Sequence, residues 1–239
     1  MGNTATILKF QPKAHAPVPA SVQAPKTTAR IKKIRNVDGV KYFNRQQIQL
    51  LRRTVRDMAM VHASKNNVTA IREWMAIDLL TSTGMRVSEA ADFRCGDIKA
   101  GYGQSAVYVR NGKGCKSRTI EIPESLKKHL KGFVSWKAQV GESVGDDDYL
   151  FVGQRGAWTV QAIQQVVKKY LKQLGLYETG KSVHSLRHSF AVEVYKVEKD
   201  LLAVKKQLGH SSVQTTEIYA QVMPEDVQRQ VKGLWSFIQ

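Results

Sequence analysis

Between Val68 and Leu80 the apolar residues Ile71, Trp74, Met75, Ile77 and Leu79 recur over most of a helix's circumference. A helix that is apolar nearly all round has to be enclosed by other elements. The rest of the chain therefore reads as a shell around this segment. Upstream, Asn44 and Gln47 have the spacing of a capping box and Phe43 can staple onto Ile48, so a helix is expected from there to about Ala63. Leu50, Leu51, Val55, Met58 and Val61 give it an apolar stripe, and Arg52, Arg53 and Arg56 a basic face. Two further helices are expected at about Pro123–Lys137 and Val160–Leu174. Between them lie Asp146, Asp147 and Asp148, which lack the alternation of a calcium loop and read as a solvated turn.

One region breaks the helical period. Val107 and Val109 alternate with Tyr108 and Arg110, the run Asn111-Gly112-Lys113-Gly114 makes a turn, and Thr119, Ile120 and Ile122 resume. This is the pattern of a β-hairpin, with Lys113 at its tip beside Lys116 and Arg118. Gly-Lys-Gly lacks the following Ser or Thr and the spaced upstream glycine of a nucleotide-binding loop. Tyr149–Val152 is a candidate short strand. The fold class is mainly α with a small antiparallel β-hairpin or sheet, that is, α+β.

Charge narrows the partner. Against 20 Asp and Glu stand 37 Lys and Arg, a formal net charge of +17, which favours a polyanion and places nucleic acid first. Residues 1–42 are rich in Pro, Ala, Ser and Thr with scattered lysines and no sustained period, and read as a disordered basic tail, either a solvated leader or an arm along a DNA backbone. Cys95 and Cys115 stand apart without metal-ligand spacing, so ordinary reduced thiols and no metal are expected. No apolar run approaches the length of a membrane span, and the expected location is cytoplasmic, with the nucleoid.

The chemistry concentrates between Val183 and Val222. His184 and Arg187 are three apart, so on a helix capped by Ser182 they share its first turn and face one anion, towards which the helix's free N–H groups also point. His210 sits in Leu-Gly-His-Ser-Ser, and Tyr219 follows as a candidate nucleophile. Far upstream, Thr-Gly-Met-Arg puts Arg86 at a tight bend with Glu89 one turn on. The pair by itself is an ordinary surface couple.

Four boxes in order, TGMRVSEA, NGKGCKSR, HSLRHSF and LGHSSVQTTEIY, resemble the arginine, hairpin-lysine, His-x-x-Arg and His-to-Tyr boxes of the tyrosine recombinase (phage integrase) family. The resemblance covers roughly Asn44 to Gln239 and implies that family's catalytic-domain fold, so residues 43–239 are expected to form that domain. It also implies roles. Tyr219 would attack a DNA phosphodiester and form a 3′-phosphotyrosyl bond. Arg86 and Arg187 would clamp the non-bridging oxygens. Lys113 would protonate the leaving 5′-oxygen, His184 would assist proton transfer at the tyrosine, and His210 would hydrogen-bond the phosphate. Glu89 would support the cluster. No cofactor is implied. Lys116, Arg118, Arg52, Arg53 and Arg56 are expected to contact DNA.

Family practice implies double-stranded DNA with two inverted half-sites, and four protomers in the active assembly, with Leu234 and Trp235 in a C-terminal segment that packs on a neighbouring protomer. Most members carry a helical core-binding domain before the catalytic one, and the tail has too few apolar residues to fold as that. A catalytic-domain-only chain is expected, similar in this to the small recombinases that invert fimbrial genes. An accessory DNA-bending or core-binding protein is a possible helper. Other readings differ in class: a DNA-binding regulator that does not cleave, and a type IB topoisomerase. Among the site residues, Ser185 stands where an Asp is frequent, Lys116 competes with Lys113 as the hairpin acid, and His188 is read as packing or a DNA contact. Tyr170 and Tyr195 are read as core residues.

Overall fold

The computed structural model describes residues 41–63, 68–110, 112, 117–210, 216 and 219. The expected basic tail to residue 40, the hairpin tip with Lys113, Cys115 and Lys116, and the C-terminal segment with Leu234 and Trp235 lie outside the described residues.

Helix α1, Arg45–Ala63, starts where the capping box places it. The Gln47 N–H donates to Asn44 Oδ1 at 2.8 Å, and the Asn44 N–H donates to Gln47 Oε1 at 3.0 Å. Phe43, Leu51, Val55 and Ala59 form its buried stripe, whereas Leu50 and Val61, expected inside, are exposed. They stand about 140° and 120° around the helix from Val55, at the centre of that stripe, at 100° per residue.

Helix α2, Val68–Thr83, is the enclosed one. From Met75 to Thr83 every residue is buried, and α2 touches α1 and four helices that follow: α3 (Val87–Ala91), α4 (Glu124–Gln139), α5 (Val160–Gln173) and α6 (Val183–Glu198). Two carboxylates ride into the core on it, each with partners. Asp78 accepts from Arg52 at 2.6 Å and meets His129 Nδ1 at 2.8 Å, and Glu73 accepts from Lys169 and from the Tyr170 hydroxyl. Buried charge persists only when paired in this way. It also settles Tyr170 as a core residue bound to Glu73.

The period-2 segment forms more sheet than the hairpin alone. Strands β2 (Ala106–Val109) and β3 (Arg118–Glu121) pair antiparallel with Val107 opposite Ile120, and a short β1 (Ile98–Lys99) adds to the β2 edge. Two residues carry no readable alternation, which is why β1 escapes the sequence. Val152–Gly153 and Gly156–Ala157 (β4 and β5) make a second small ribbon, placed just after the strand expected from Tyr149. The aspartate loop is tied down: Arg110 donates to Asp97 at 2.6 Å and to Asp147 at 2.7 Å, and Asp146 receives the Gly96 N–H through its carbonyl. The turn is solvated as expected, with the Asp147 side chain 87% exposed, and it also buckles the end of β2 to the turn before β1.

Ser182 caps α6, its hydroxyl accepting from the His184 N–H, while Ser185 Oγ accepts from the Ser182 N–H. Ser185 thus does local capping work. Lys199, in the left-handed region at φ 54°, ends α6, and Asp200 caps a separate helix, α7, Leu201–Leu208. A small second cluster forms here, with Ala191, Val192, Val204 and Leu208 around the Tyr219 ring.

Candidate active site

Two turns hold the site's arginines. At the end of α2, Gly84 takes a left-handed φ of 61°, and a side chain there would meet Phe190 at 2.3 Å; only glycine gives both the bend and the close approach. Arg86 follows as the N-terminal flank of α3. Its N–H and its guanidinium both donate to Glu89, at 2.7 Å each. From β3, Arg118 reaches the same carboxylate with two parallel bonds of 2.8 Å, and its Nε donates to the Gln207 carbonyl at 3.2 Å. Burial opposes the charge on Glu89, but the hydrogen bonds and positive charge of Arg118 and Arg86 outweigh it and hold the carboxyl down at about 2. Glu89 stays ionised and orients two arginines.

Arg187, from the second turn of α6, is fixed by other means. It donates to the Gly84 carbonyl at 2.8 Å and to the Leu208 carbonyl at 2.7 Å. These bonds aim the guanidinium without neutralising it. Burial and then the charges of Arg86 and Arg118 press its pKa down to about 10, which still leaves it cationic. Gly209, at φ 66°, closes α7 and lets Arg118 pass; a side chain there would meet Arg118 Cδ at 2.6 Å.

His210 comes directly after that glycine. Its Nδ1 lies 3.1 Å from the Thr216 hydroxyl, and its ring is nearly parallel to that of Tyr219, at 17° with centroids 6.4 Å apart. Burial, then Arg187 and Arg86, lower its pKa to about 4. It is a neutral imidazole at pH 7, in a site with an excess of positive charge. Tyr219 is buried, and burial pushes its phenol up to about 12, with Arg187 pulling modestly the other way. Its hydroxyl lies 2.9 Å from Nδ1 of His188.

The expected residues therefore divide. Arg86, Glu89, Arg187, His210 and Tyr219 come together, and His184 opens α6 beside them with an exposed ring. Arg118, expected to face DNA, is instead committed to Glu89, its side chain only 11% exposed. Arg52 differs from its neighbours in the same way, being paired with buried Asp78, while Arg53 and Arg56 remain on the surface. His188, read from the sequence as packing or a DNA contact, packs against Tyr219 with its Nδ1 on the phenol. Its spacing, one helical turn after His184 on the same face, was the available signal. Among the described residues no group of three or more His, Cys, Asp or Glu is placed to hold a metal.

The family model described as the phage integrase family matches residues 53–226. The chain belongs to the phage integrase family. Among its relatives, the tyrosine recombinase XerA of Pyrococcus furiosus is 32% identical over 166 residues, which is 68% of this chain and 54% of that one. XerC of Corynebacterium glutamicum is 36% identical over 161 residues, 67% of this chain and 50% of that one. The chain spans about half the length of the curated relatives it matches. A crystal structure of XerA recombinase is similar at a TM-score of 0.64 and 25% identity, over 90% of this chain and 68% of that one. XerH bound to a palindromic difH substrate in a post-cleavage complex is similar at 0.68 and 24%, over 82% and 54%, and shows the fold. The mainly helical domain with small antiparallel sheets is that of the tyrosine recombinases.

Proposed function

We propose that this chain cuts and rejoins double-stranded DNA at specific sites, with Tyr219 as nucleophile. The observation that carries the proposal is the convergence of Arg86, Arg187 and His210 beside the Tyr219 phenol, with the Arg187 charge held by carbonyls alone. A phosphodiester supplies the anion such a site lacks. Paired guanidinium groups suit the three equatorial oxygens of a phosphoryl transition state, and His210 can donate to one of them. The Tyr219 oxygen bonds to phosphorus as the bond to the 5′-oxygen breaks, giving a 3′-phosphotyrosyl link and a 5′-hydroxyl. Lys113 is assigned the proton that the 5′-oxygen takes up, and His184, at the exposed start of α6, assistance to proton transfer at the tyrosine. The phosphotyrosine keeps the energy of the broken bond, so a 5′-hydroxyl of another strand can reverse the step.

In this reading residues 43–239 are the catalytic domain and 1–42 a basic arm along the backbone, with Arg53, Arg56 and Lys116 as further phosphate contacts. The partner is DNA with inverted half-sites bound by four protomers, and an accessory protein supplies what the arm does not. Support comes from the relatives, which are named as tyrosine recombinases, and from the structural neighbours solved on DNA.

The test is covalent capture. Wild type and Tyr219→Phe are expressed in cells, denatured rapidly, and the protein-linked DNA is sequenced. Discrete ends from wild type alone are expected. Linkage at many unrelated ends would indicate topoisomerase-like action, and no linkage from a folded, DNA-binding wild type would reject strand cutting.

A further inference from the structure

A phenol held up at about 12 is a poor nucleophile at neutral pH until something takes its proton. Two histidines on α6 are available, one turn apart. His184 is exposed at the first turn, where its backbone N–H is engaged by the Ser182 cap. His188 lies deeper, and its Nδ1 is 2.9 Å from the Tyr219 oxygen, with the two rings inclined at 51° and their centroids 5.9 Å apart. That is within the reach a general base needs before any rearrangement.

From this geometry we infer that His188 is the base that takes the Tyr219 proton. The inference rests on the strand-cutting reading and moves the proton role, which the family resemblance carries to His184, one turn along the helix. As the Tyr219 oxygen bonds to phosphorus, its proton passes to Nδ1 of His188, and the imidazolium returns that proton when the phosphotyrosyl bond is reversed. The surroundings suit each half of the cycle. Burial, then Arg187 and His184, lower the His188 pKa, so the ring is neutral and able to accept before DNA arrives. A phosphate seated on Arg86 and Arg187 then offsets the positive charge that opposed protonation. The ring also orients the nucleophile, since the buried residues that cluster with Tyr219 among the described residues, Ala191, Val192, Val204 and Leu208, are apolar.

The experiment uses the full chain and a nicked duplex carrying the cleavage site that wild type marks in cells. Single-turnover formation of the protein–DNA adduct is timed for wild type, His188→Asn, His188→Ala and His184→Ala, with melting curves confirming folding. Asn keeps a polar atom near the Nδ1 position without a usable basicity. His188→Asn is expected to form adduct about a hundredfold more slowly, and added imidazole to restore part of the rate to His188→Ala but none to His184→Ala. Wild-type rates in His188→Asn would overturn the inference and leave strand cutting intact. Faster adduct formation in His188→Ala would also overturn it, since His188 would then be restraining Tyr219 in storage. Absence of adduct from wild type itself would reject the strand-cutting reading, and the inference with it.

Discussion

Arg118 and Arg187 are both arginines in the shell of one site, and they are restrained in opposite ways. Arg118 is neutralised by two parallel bonds to Glu89, while Arg187 is anchored only by the carbonyls of Gly84 and Leu208. A carboxylate orients a guanidinium and cancels its charge; a carbonyl orients it and leaves the charge. The first arrangement stabilises the fold, and the second leaves a guanidinium bonded to no carboxylate among the described residues. The contrast also explains why the arginines nearest each other do not drive the structure apart, since Glu89 serves Arg86 and Arg118 at once.

The comparison is most exposed to removal of that shared carboxylate. Glu89→Ala leaves Arg86 and Arg118 facing each other without a counter-ion, and a loss of about 3–5 kcal/mol in urea unfolding is expected. A loss under about 1 kcal/mol would mean that solvent already screens the pair. Arg187→Met should behave differently. Two carbonyls lose a donor, but like-charge repulsion from Arg86 and Arg118 is relieved, so a net change of about 1 kcal/mol is expected, with adduct formation abolished. Unfolding as severe as that of Glu89→Ala would erase the distinction between the two arginines.

The smallest effect is in acid. His210 is held at about 4 against an ordinary 6.5, so between those values the unfolded chain binds a proton that the folded one refuses, and stability falls as the pH drops through that window. His188 shifts in the same direction. Glu89, held at about 2 against 4.5, contributes stability that is fully present above its ordinary value and is lost as the pH falls towards 2. Melting temperatures from pH 7 to 4 should decline in wild type and less steeply in His210→Gln. Identical slopes would remove His210 from the account.

Local features were legible in the sequence because their causes are local. The Asn44–Gln47 box, the enclosed helix from Val68, the β2–β3 pairing and the Ser182 cap each depend on residues near one another in sequence, at most 15 apart across the hairpin. Much of the site was legible too, since Arg86, Arg187, His210 and Tyr219 sit in recognisable boxes. What escaped was choice of partner. Nothing near Arg118 tells it from Lys116 or Arg110 as a DNA contact, because its carboxylate lies 29 residues away on another element. Arg52 looked like Arg53 for the same reason, its partner Asp78 being 26 residues on. His188 was read only as packing or a DNA contact, because its bond to the phenol depends on a tyrosine 31 residues later.

The two carbonyls on Arg187 also have a bearing on synthesis. Gly84 lies 103 residues before the arginine and Leu208 21 residues after it. A nascent chain that has cleared the ribosome through α6 can make the first bond and not the second, so its arginine is only half seated. The tyrosine comes later still. A polypeptide translated only that far therefore carries Arg187 without a fixed aim and without Tyr219, and the proposed strand cutting waits on the residues that follow α6. For a protein whose proposed act is breaking DNA strands, that order of arrival is a safeguard written into the connectivity of the fold.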